Sequence, residues 1–443
     1  MIDRSPSYAT RPGPARTRVE LVTIGDELLL GFTIDTNAAH LARALASIGM
    51  HIVQRTTIGD EEEQIARSVR EALDRTGAVI TTGGLGPTSD DITMQSIGGL
   101  FGRPMRLDAA HLAWMQERWT RRFNRPLPDA NRKQAMLPDG ATKLENRHGS
   151  APGVWLEDDQ GRWVAMLPGV PREMRGMLAD TLLPVLAARA IGGTVVRSLT
   201  LRTTSIAESL LADKIDTMAG GPLDVALAYL PSVAGVDLRL TVKDRASADA
   251  HNVLESAAAR LRGLLEESIY GEEETDLAAV VLDLCRTRGL TLGVAESCTG
   301  GLLGERLTAI PGSSDVTRGG VIAYHDDIKR DLLGVSESVL LEHGAVSEEV
   351  ARQMAAGARR VANSSIGVAI TGIAGPGGGT DAKPVGTVWI AVDVNGDAQT
   401  RLLRLWGDRD EIRQRSAQWS LDLLRRRLSG SAGSKVSAVT AAG

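Results

Sequence analysis

Aromatic residues are the first shortage. Phe, Trp and Tyr make up 3% of the chain, so its cores must be built from Ala, Val, Leu and Ile, a composition that suits helices packed on sheets. Cysteine is nearly absent, with Cys285 and Cys298 alone. A pair of thiols makes no disulfide framework and, lacking clustered partners, no zinc site, so a reducing compartment is expected. No run of about eighteen apolar residues occurs, and the opening "MIDRSPSYATRPGPARTR" lacks the apolar segment of a secretory leader. The expectation is a soluble, cytoplasmic chain with no membrane partner. Positive charge is not in excess either: the formal net charge of -5 offers nucleic-acid phosphates no general attraction. Direct nucleic-acid binding is therefore not expected.

What is present is length: 443 residues exceed one ordinary core and imply two or three domains. Residues 1–17 and 431–443 are rich in Ser, Gly, Ala and Pro and read as mobile ends. Between them the fold class reads as α/β. From residue 18 to 190, apolar strands such as "RVELVTI" alternate with helical segments such as "EEEQIARSVREALDRTG", which predicts a parallel sheet. Residues 191–272 carry more strand pairing and no glycine loop, and read as a small α+β linker domain. Residues 273–430 return to strand-loop-helix order as a second α/β unit.

Ligands of parallel sheets sit beyond the C-terminal strand ends. In the first unit that edge would carry Gly25, Asp26, Glu27, Asp35 and Asn37, then the loop Gly83, Gly84, Leu85, Gly86, Pro87 and Thr88, then Asp90 and Asp91. Carboxylates beside a glycine loop suit a divalent cation on a pyrophosphate. Alternatively, Asp35 and Asp90 are helix caps and Asp26 a turn residue.

In the second unit, "GVAESCTGGL" (293–302) places Ser297 and Cys298 at a strand end before Thr299, Gly300 and Gly301. A nucleophile there gains helix-start N–H groups for an oxyanion. Serine needs a base, and no histidine is well placed; Tyr324 and Lys329 in "YHDDIK" are the nearest candidates, the lysine acting if burial keeps it neutral. The plainer reading makes Ser297 a cap, Tyr324 a core residue and Lys329 a solvated one, with Cys298 as buried packing. The segment "TGIAGPGGGTDAKPVG" contains Gly372, Gly375, Gly377 and Gly378, which permit close backbone approach to a ligand or simply connect strands. Arg409, Arg413 and Arg415 either clamp a phosphate or form a charged helix face.

At these residues the sequence resembles a known family. "GDELLLG", "TTGGLGPTSDD" and "LPGVPREM" are similar to the N-terminal domain of CinA (competence/damage-inducible) proteins, which has a molybdopterin-binding-like fold. "AESCTGG", "GGVIAYHDDIK", "HGAVSEEVA" and "TGIAGPGGGTDAKPVGTVW" are similar to the family's nicotinamide-nucleotide amidase domain. The resemblance implies a bifunctional hydrolase of pyridine-nucleotide salvage. Its C-terminal domain would deamidate nicotinamide mononucleotide without a cofactor, with Ser297, Tyr324 and Lys329 catalytic. Its N-terminal domain would be an ADP-ribose pyrophosphatase needing a divalent metal ion, with Asp26, Asp90 and Asp91 as metal ligands. Thr299, Gly300, Gly301, the glycine loop, Arg409 and Arg413 would bind substrate. Nucleotides are the expected small-molecule partners, and a homodimer the expected assembly. The rival expectation is a competence-related interaction protein with a pterin- or nucleotide-binding N-terminal domain and one active domain or none.

Overall fold

A computed structural model describes residues 17–189, 195–218, 221 and 223–430, so the two terminal segments, but for Thr17, lie outside the described residues. The chain divides into two compact units, Met1–Arg197 with Val242–His251, and Ser198–Thr241 with Asn252–Gly443. No helix among the described residues is long and apolar enough to cross a membrane.

The first unit is built on β1 (Arg18–Ile24), β2 (His51–Ile58), β3 (Ala78–Thr82), a ribbon of β4 (Met105–Leu107) and β5 (Met136–Pro138), then β6 (Thr142–Leu144), β7 (Gly153–Glu157) and β8 (Trp163–Leu167). The main sheet runs β2-β1-β3-β8-β7-β6, and its first four strands are parallel, as the alternation predicts. Helices α1 (Thr36–Ser47) and α2 (Glu62–Thr76) make the crossovers. They cover opposite faces: Leu41 and Leu45 join one core, Ile65 and Val69 the other. The antiparallel β6 and β7 are additions the sequence reading did not place. Residues 158–162 between β7 and β8 are too few for a crossover, so that pair must be antiparallel.

In the small domain, β9 (Val195–Thr203), β10 (Ala226–Pro231), β11 (Val236–Arg245) and β12 (Ile269–Glu272) form a sheet ordered β10-β11-β9-β12, with helices α3 (Glu208–Met218) and α4 (Ser247–Leu265). The expected α+β character is present.

The C-terminal sheet runs β14-β13-β15-β16-β17, from β13 (Leu292–Glu296), β14 (Thr317–Ile322), β15 (Ile366–Gly372), β16 (Thr387–Val394) and β17 (Asp397–Arg404). The first three strands are parallel and the last two antiparallel. Residues 373–386 join β15 to β16 without a helix, so β16 returns antiparallel. Helix α5 (Leu277–Thr287) and the helix Arg409–Ser429 bury Val281, Ile412 and Leu424 on one face of the sheet; Glu348–Val361 buries Met354 and Ala358 on the other. Such a sandwich needs small and branched apolar side chains, which is how the chain manages with few aromatics.

Candidate active site

In the C-terminal domain Glu296 pairs with Ile322 across β13 and β14, so Ser297 and Tyr324 leave the same edge of neighbouring strands. Ser297 keeps 9% of its surface exposed, and its N–H donates to Ile370 O at 2.9 Å, which pins it to β15. Lys329 sits on the short helix α6 (Asp326–Asp331) and is 2% exposed. It is therefore not the solvated residue of the plainer reading. Its Nζ donates to Asp326 Oδ1 at 3.0 Å and to the Tyr324 carbonyl at 3.4 Å. The amine therefore has the Asp326 carboxylate as a partner, which the sequence reading did not include. Asp326 was missed because in "HDDIK" it reads as an ordinary acidic helix start; its three-residue spacing from Lys329 was the available signal.

Glu296 was also missed. It is 1% exposed, and its carboxylate accepts N–H groups from Gly301, Leu303 and Gly304 at 3.0, 3.0 and 2.7 Å. The N-terminus of the following helix, Leu302–Thr308, is thereby neutralised internally. These three N–H groups are thereby unavailable to an oxyanion. What remains are the Cys298 and Thr299 N–H groups, which donate to no other residue among those described. Cys298 itself is 6% exposed, and burial pushes its thiol up to about 12, so it is no nucleophile near neutrality.

Arg409 joins three of the motifs. Its Nη2 donates to Tyr324 Oη at 2.8 Å and its Nη1 to Gly375 O at 2.6 Å. Arg413, one turn on, donates to Thr299 O at 2.9 Å. Gly375 and Gly378 have positive φ of 81° and 84°, and Gly375 O, held by Arg409, is what ties this loop to the site. A Cβ on Gly375 would lie 2.7 Å from Val385, and one on Gly372 2.6 Å from Val388, so Gly372 is a sheet-packing glycine; Gly377 has nothing within 4 Å. At Gly301 the φ of 100° sets the turn, and Gly300, with φ 60°, faces Arg413. Arg415 points elsewhere, over the Trp406 ring at 3.9 Å.

In the N-terminal domain the strand ends converge as expected. Gly83 is the tightest point: with φ 112°, a Cβ there would sit 1.9 Å from Ile24 O at the end of β1. Gly169, after β8, packs on Gly83, and Asn37 Nδ2 donates to Gly169 O at 2.6 Å while its Oδ1 has no partner among the described residues. Gly84, with φ 64°, lies against Thr93, and Leu85 is buried below the loop. Asp91 is not free to bind a cation. Its oxygens accept from Gly86 N at 2.7 Å, Thr88 N at 2.8 Å and Thr88 Oγ1 at 2.5 Å, which shapes the loop around Pro87. Asp35 caps α1 through Ala38 N and lies 3.7 Å from Arg55, so it is structural.

The carboxylates that do gather are Asp26, Glu27 and Asp90, joined by Asp60, which the sequence reading missed. Burial raises the Asp60 carboxyl above its ordinary range; the nearby Asp26, Glu27 and Asp90 add to the rise, and a bond from Asp26 N opposes it. Hydrogen bonding and the nearby Lys133 ammonium hold the Asp90 carboxyl below its ordinary value. Glu27 folds back over Gly25, whose φ is 155°. Among the described residues no three His, Cys, Asp or Glu side chains converge tightly enough to hold a metal ion by themselves. The expected set of Asp26, Asp90 and Asp91 therefore does not stand as a joint site.

Comparison with known proteins follows this division of the chain. Residues 20–188 match the probable molybdopterin binding domain, 198–271 the damage-inducible protein CinA KH domain and 274–428 the CinA C-terminal domain. The small α+β domain is thus of KH type. A CinA-like protein of Gemmatimonas aurantiaca is 61% identical over 94% of this chain and 97% of its own length. A putative competence-damage inducible protein of Symbiobacterium thermophilum is 41% identical over 93% and 99%. The solved competence/damage inducible protein of Agrobacterium tumefaciens is 43% identical, covering 34% of this chain and 93% of its own, with a TM-score of 0.33. With this identity along nearly the whole length, the chain belongs to the CinA-like family of competence/damage-inducible proteins.

Proposed function

We propose that the chain is a bifunctional cytoplasmic hydrolase of pyridine-nucleotide salvage. The C-terminal domain deamidates nicotinamide mononucleotide to nicotinic acid mononucleotide and ammonia. The supporting observation is the buried Lys329 amine delivered beside Tyr324 to the sheet edge that also presents Ser297. The Lys329 amine takes the Ser297 proton directly or through Tyr324 Oη while Ser297 Oγ attacks the carboxamide carbon. The Cys298 and Thr299 N–H groups stabilise the oxyanion. Lys329 returns the proton to the leaving ammonia, and water then cleaves the acyl-enzyme. Arg409 and Arg413 retain guanidinium donors beyond those used within the protein, and these hold the substrate phosphate.

The N-terminal domain splits ADP-ribose into AMP and ribose 5-phosphate. Its glycine loop offers close backbone approach to a diphosphate. A divalent cation would be held by one or two carboxylates, Asp26 and Asp90, with phosphate oxygens and water completing its shell, and would neutralise the diphosphate charge. The acid crowd around Asp60 fits a cation there. Nucleotides are the partners and a homodimer the assembly.

Ammonia release from nicotinamide mononucleotide tests the main reading. Wild type should release it, and Ser297→Ala and Lys329→Ala should not; undiminished release by either variant overturns the assignment. AMP formation from ADP-ribose with added divalent cations tests the second activity. The rival, a non-catalytic competence partner, prevails if Ser297→Ala keeps deamidation but loses a binding partner.

A further inference from the structure

The helix Arg409–Ser429, α7 from here on, has a second working face. Arg409 and Arg413 turn toward Tyr324 and Thr299, whereas Arg415, Gln418 and Trp419 line a cleft of about 1210 Å³ between the C-terminal domain and the KH-type domain, with every lining residue in the second unit. That volume is at or above the upper range for small-molecule sites, and the seam between two domains is a common place for them. The base of the cleft is tied shut. Arg426 pairs with Glu267 at 2.8 Å and Gln418 Nε2 donates to Thr204 Oγ1 at 3.0 Å.

Its walls are chemically unlike. The C-terminal wall carries two arginine–tryptophan stacks, Arg415 over Trp406 at 3.9 Å and Arg401 over Trp419 at 4.4 Å. Arg404 and Arg415 have no carboxylate within ion-pair distance among the described residues; Arg404 Nη1 bonds Thr387 Oγ1 and Arg415 lies over Trp406. Burial, with Arg426 nearby, lowers the Arg401 guanidinium from its ordinary value, and the Asp422 carboxylate only partly opposes this, a cost that a bound anion would relieve further. The facing wall carries Glu208, Asp213 and Glu266, which repel a bare polyanion and accept from N–H groups. Polar atoms without partners collect here. Gln418, 3% exposed, leaves Oε1 unbonded, and Arg415 Nε and Ser205 Oγ are buried without partners among the described residues. Native proteins rarely leave such atoms unmatched unless something else satisfies them. Trp406 carries Arg415 against its ring and is still 56% exposed, which leaves aromatic surface for a ligand to meet.

We propose that this cleft is a second ligand site, for a mononucleotide: a flat base bearing N–H groups stacks on Trp406, its edge meets Gln418 and Ser205, and its phosphate meets Arg401 and Arg404. The site is separate from the Ser297 centre and does not depend on the deamidase reading.

Calorimetric titration of the full chain with AMP tests this, with UMP, adenosine and ribose 5-phosphate as further arms. AMP is expected to show a binding component that is at least about tenfold weaker for adenosine and for ribose 5-phosphate. Trp406→Ala and Arg415→Ala should each weaken that component at least about tenfold. Both lie outside the catalytic machinery, and circular dichroism spectra matching that of wild type report correct folding. The UMP arm separates purine from general nucleotide recognition. The proposal is overturned if neither nucleotide binds, or if the AMP isotherms of wild type, Trp406→Ala and Arg415→Ala coincide, since any AMP taken up by the N-terminal domain would be untouched by these changes.

Discussion

Arg409 and Tyr324 are separated by 85 positions, yet the guanidinium Nη2 donates to the phenol oxygen at 2.8 Å while Nη1 holds Gly375 O. One planar side chain therefore fixes the tyrosine tip and the glycine loop at once. Lysine cannot reproduce this fork, because its single ammonium cannot bond both acceptors in fixed geometry. Arg409→Lys should lower kcat/KM for deamidation by roughly a hundredfold. Steady-state kinetics with nicotinamide mononucleotide check it; an unchanged value would remove Arg409 from the site.

Asp326 anchors the proposed base. Its carboxylate accepts from Lys329 Nζ at 3.0 Å, and the same amine reaches the Tyr324 carbonyl at 3.4 Å. Asparagine keeps an oxygen for the amine, whereas alanine removes it. Asp326→Asn should therefore keep kcat for ammonia release within about threefold of wild type, and Asp326→Ala should lower it at least about tenfold, because the amine loses its anchor. Equal kcat values in the two variants contradict Asp326 as the group that positions Lys329.

The thiol beside the nucleophile should be dispensable. With burial raising Cys298 to about 12, its thiolate is a negligible fraction at neutral pH. Cys298→Ala should keep ammonia release within about threefold of wild type, with the residual loss attributable to the small cavity. Ser297→Ala should abolish it. Alkylation at pH 7 should leave the native enzyme active; rapid inactivation by label on Cys298 would assign that thiol a working role.

These residues also show what a sequence can and cannot display. Short apolar runs running into glycine mark β1, β3 and β13, and because ligands of such sheets gather at strand ends, the positions of Ser297 and Gly83 at those ends are legible in the sequence. The parallel order follows from helical connections, and the antiparallel β16 was equally legible, since residues 373–386 hold no helix. The 3.6-residue period likewise separates Arg415 from Arg409 and Arg413. Glu296 and Asp326 were not legible. A carboxylate that bonds backbone N–H groups or a buried amine looks, in sequence, like any solvated acid, because its partners are fixed by packing rather than by residue type. Asp91 misled for the same reason: as a pattern it resembles a metal ligand, and in space it holds Gly86 and Thr88.

Glu296 offers a test of that hidden layer. Its buried carboxylate satisfies three backbone donors, and an amide in the same place turns one end into a donor facing donors. Glu296→Gln should cost about 1–3 kcal/mol of stability, a fall of several degrees in the melting temperature of the C-terminal transition. The Ser297 elbow is displaced with it, so kcat should drop by more than KM changes. Unchanged melting would show that the helix start finds its partners elsewhere.

Gly83 lets the two proposed activities be separated. Its φ of 112° is already unfavourable for a side chain, and a methyl group there would lie 1.9 Å from Ile24 O, backbone that β1 holds between β2 and β3. The loop must shift to admit alanine, and its shift carries Gly84 and Gly86 away from any bound diphosphate. Gly83→Ala should therefore lower ADP-ribose hydrolysis at least about a hundredfold, since misplacement of about 1 Å suffices for such a loss. Ammonia release comes from the second unit, whose core shares none of these residues, and should remain within about twofold. Parallel assays on one preparation give both numbers, and retained ADP-ribose hydrolysis would take the loop from Gly83 to Thr88 out of the proposed pyrophosphatase site.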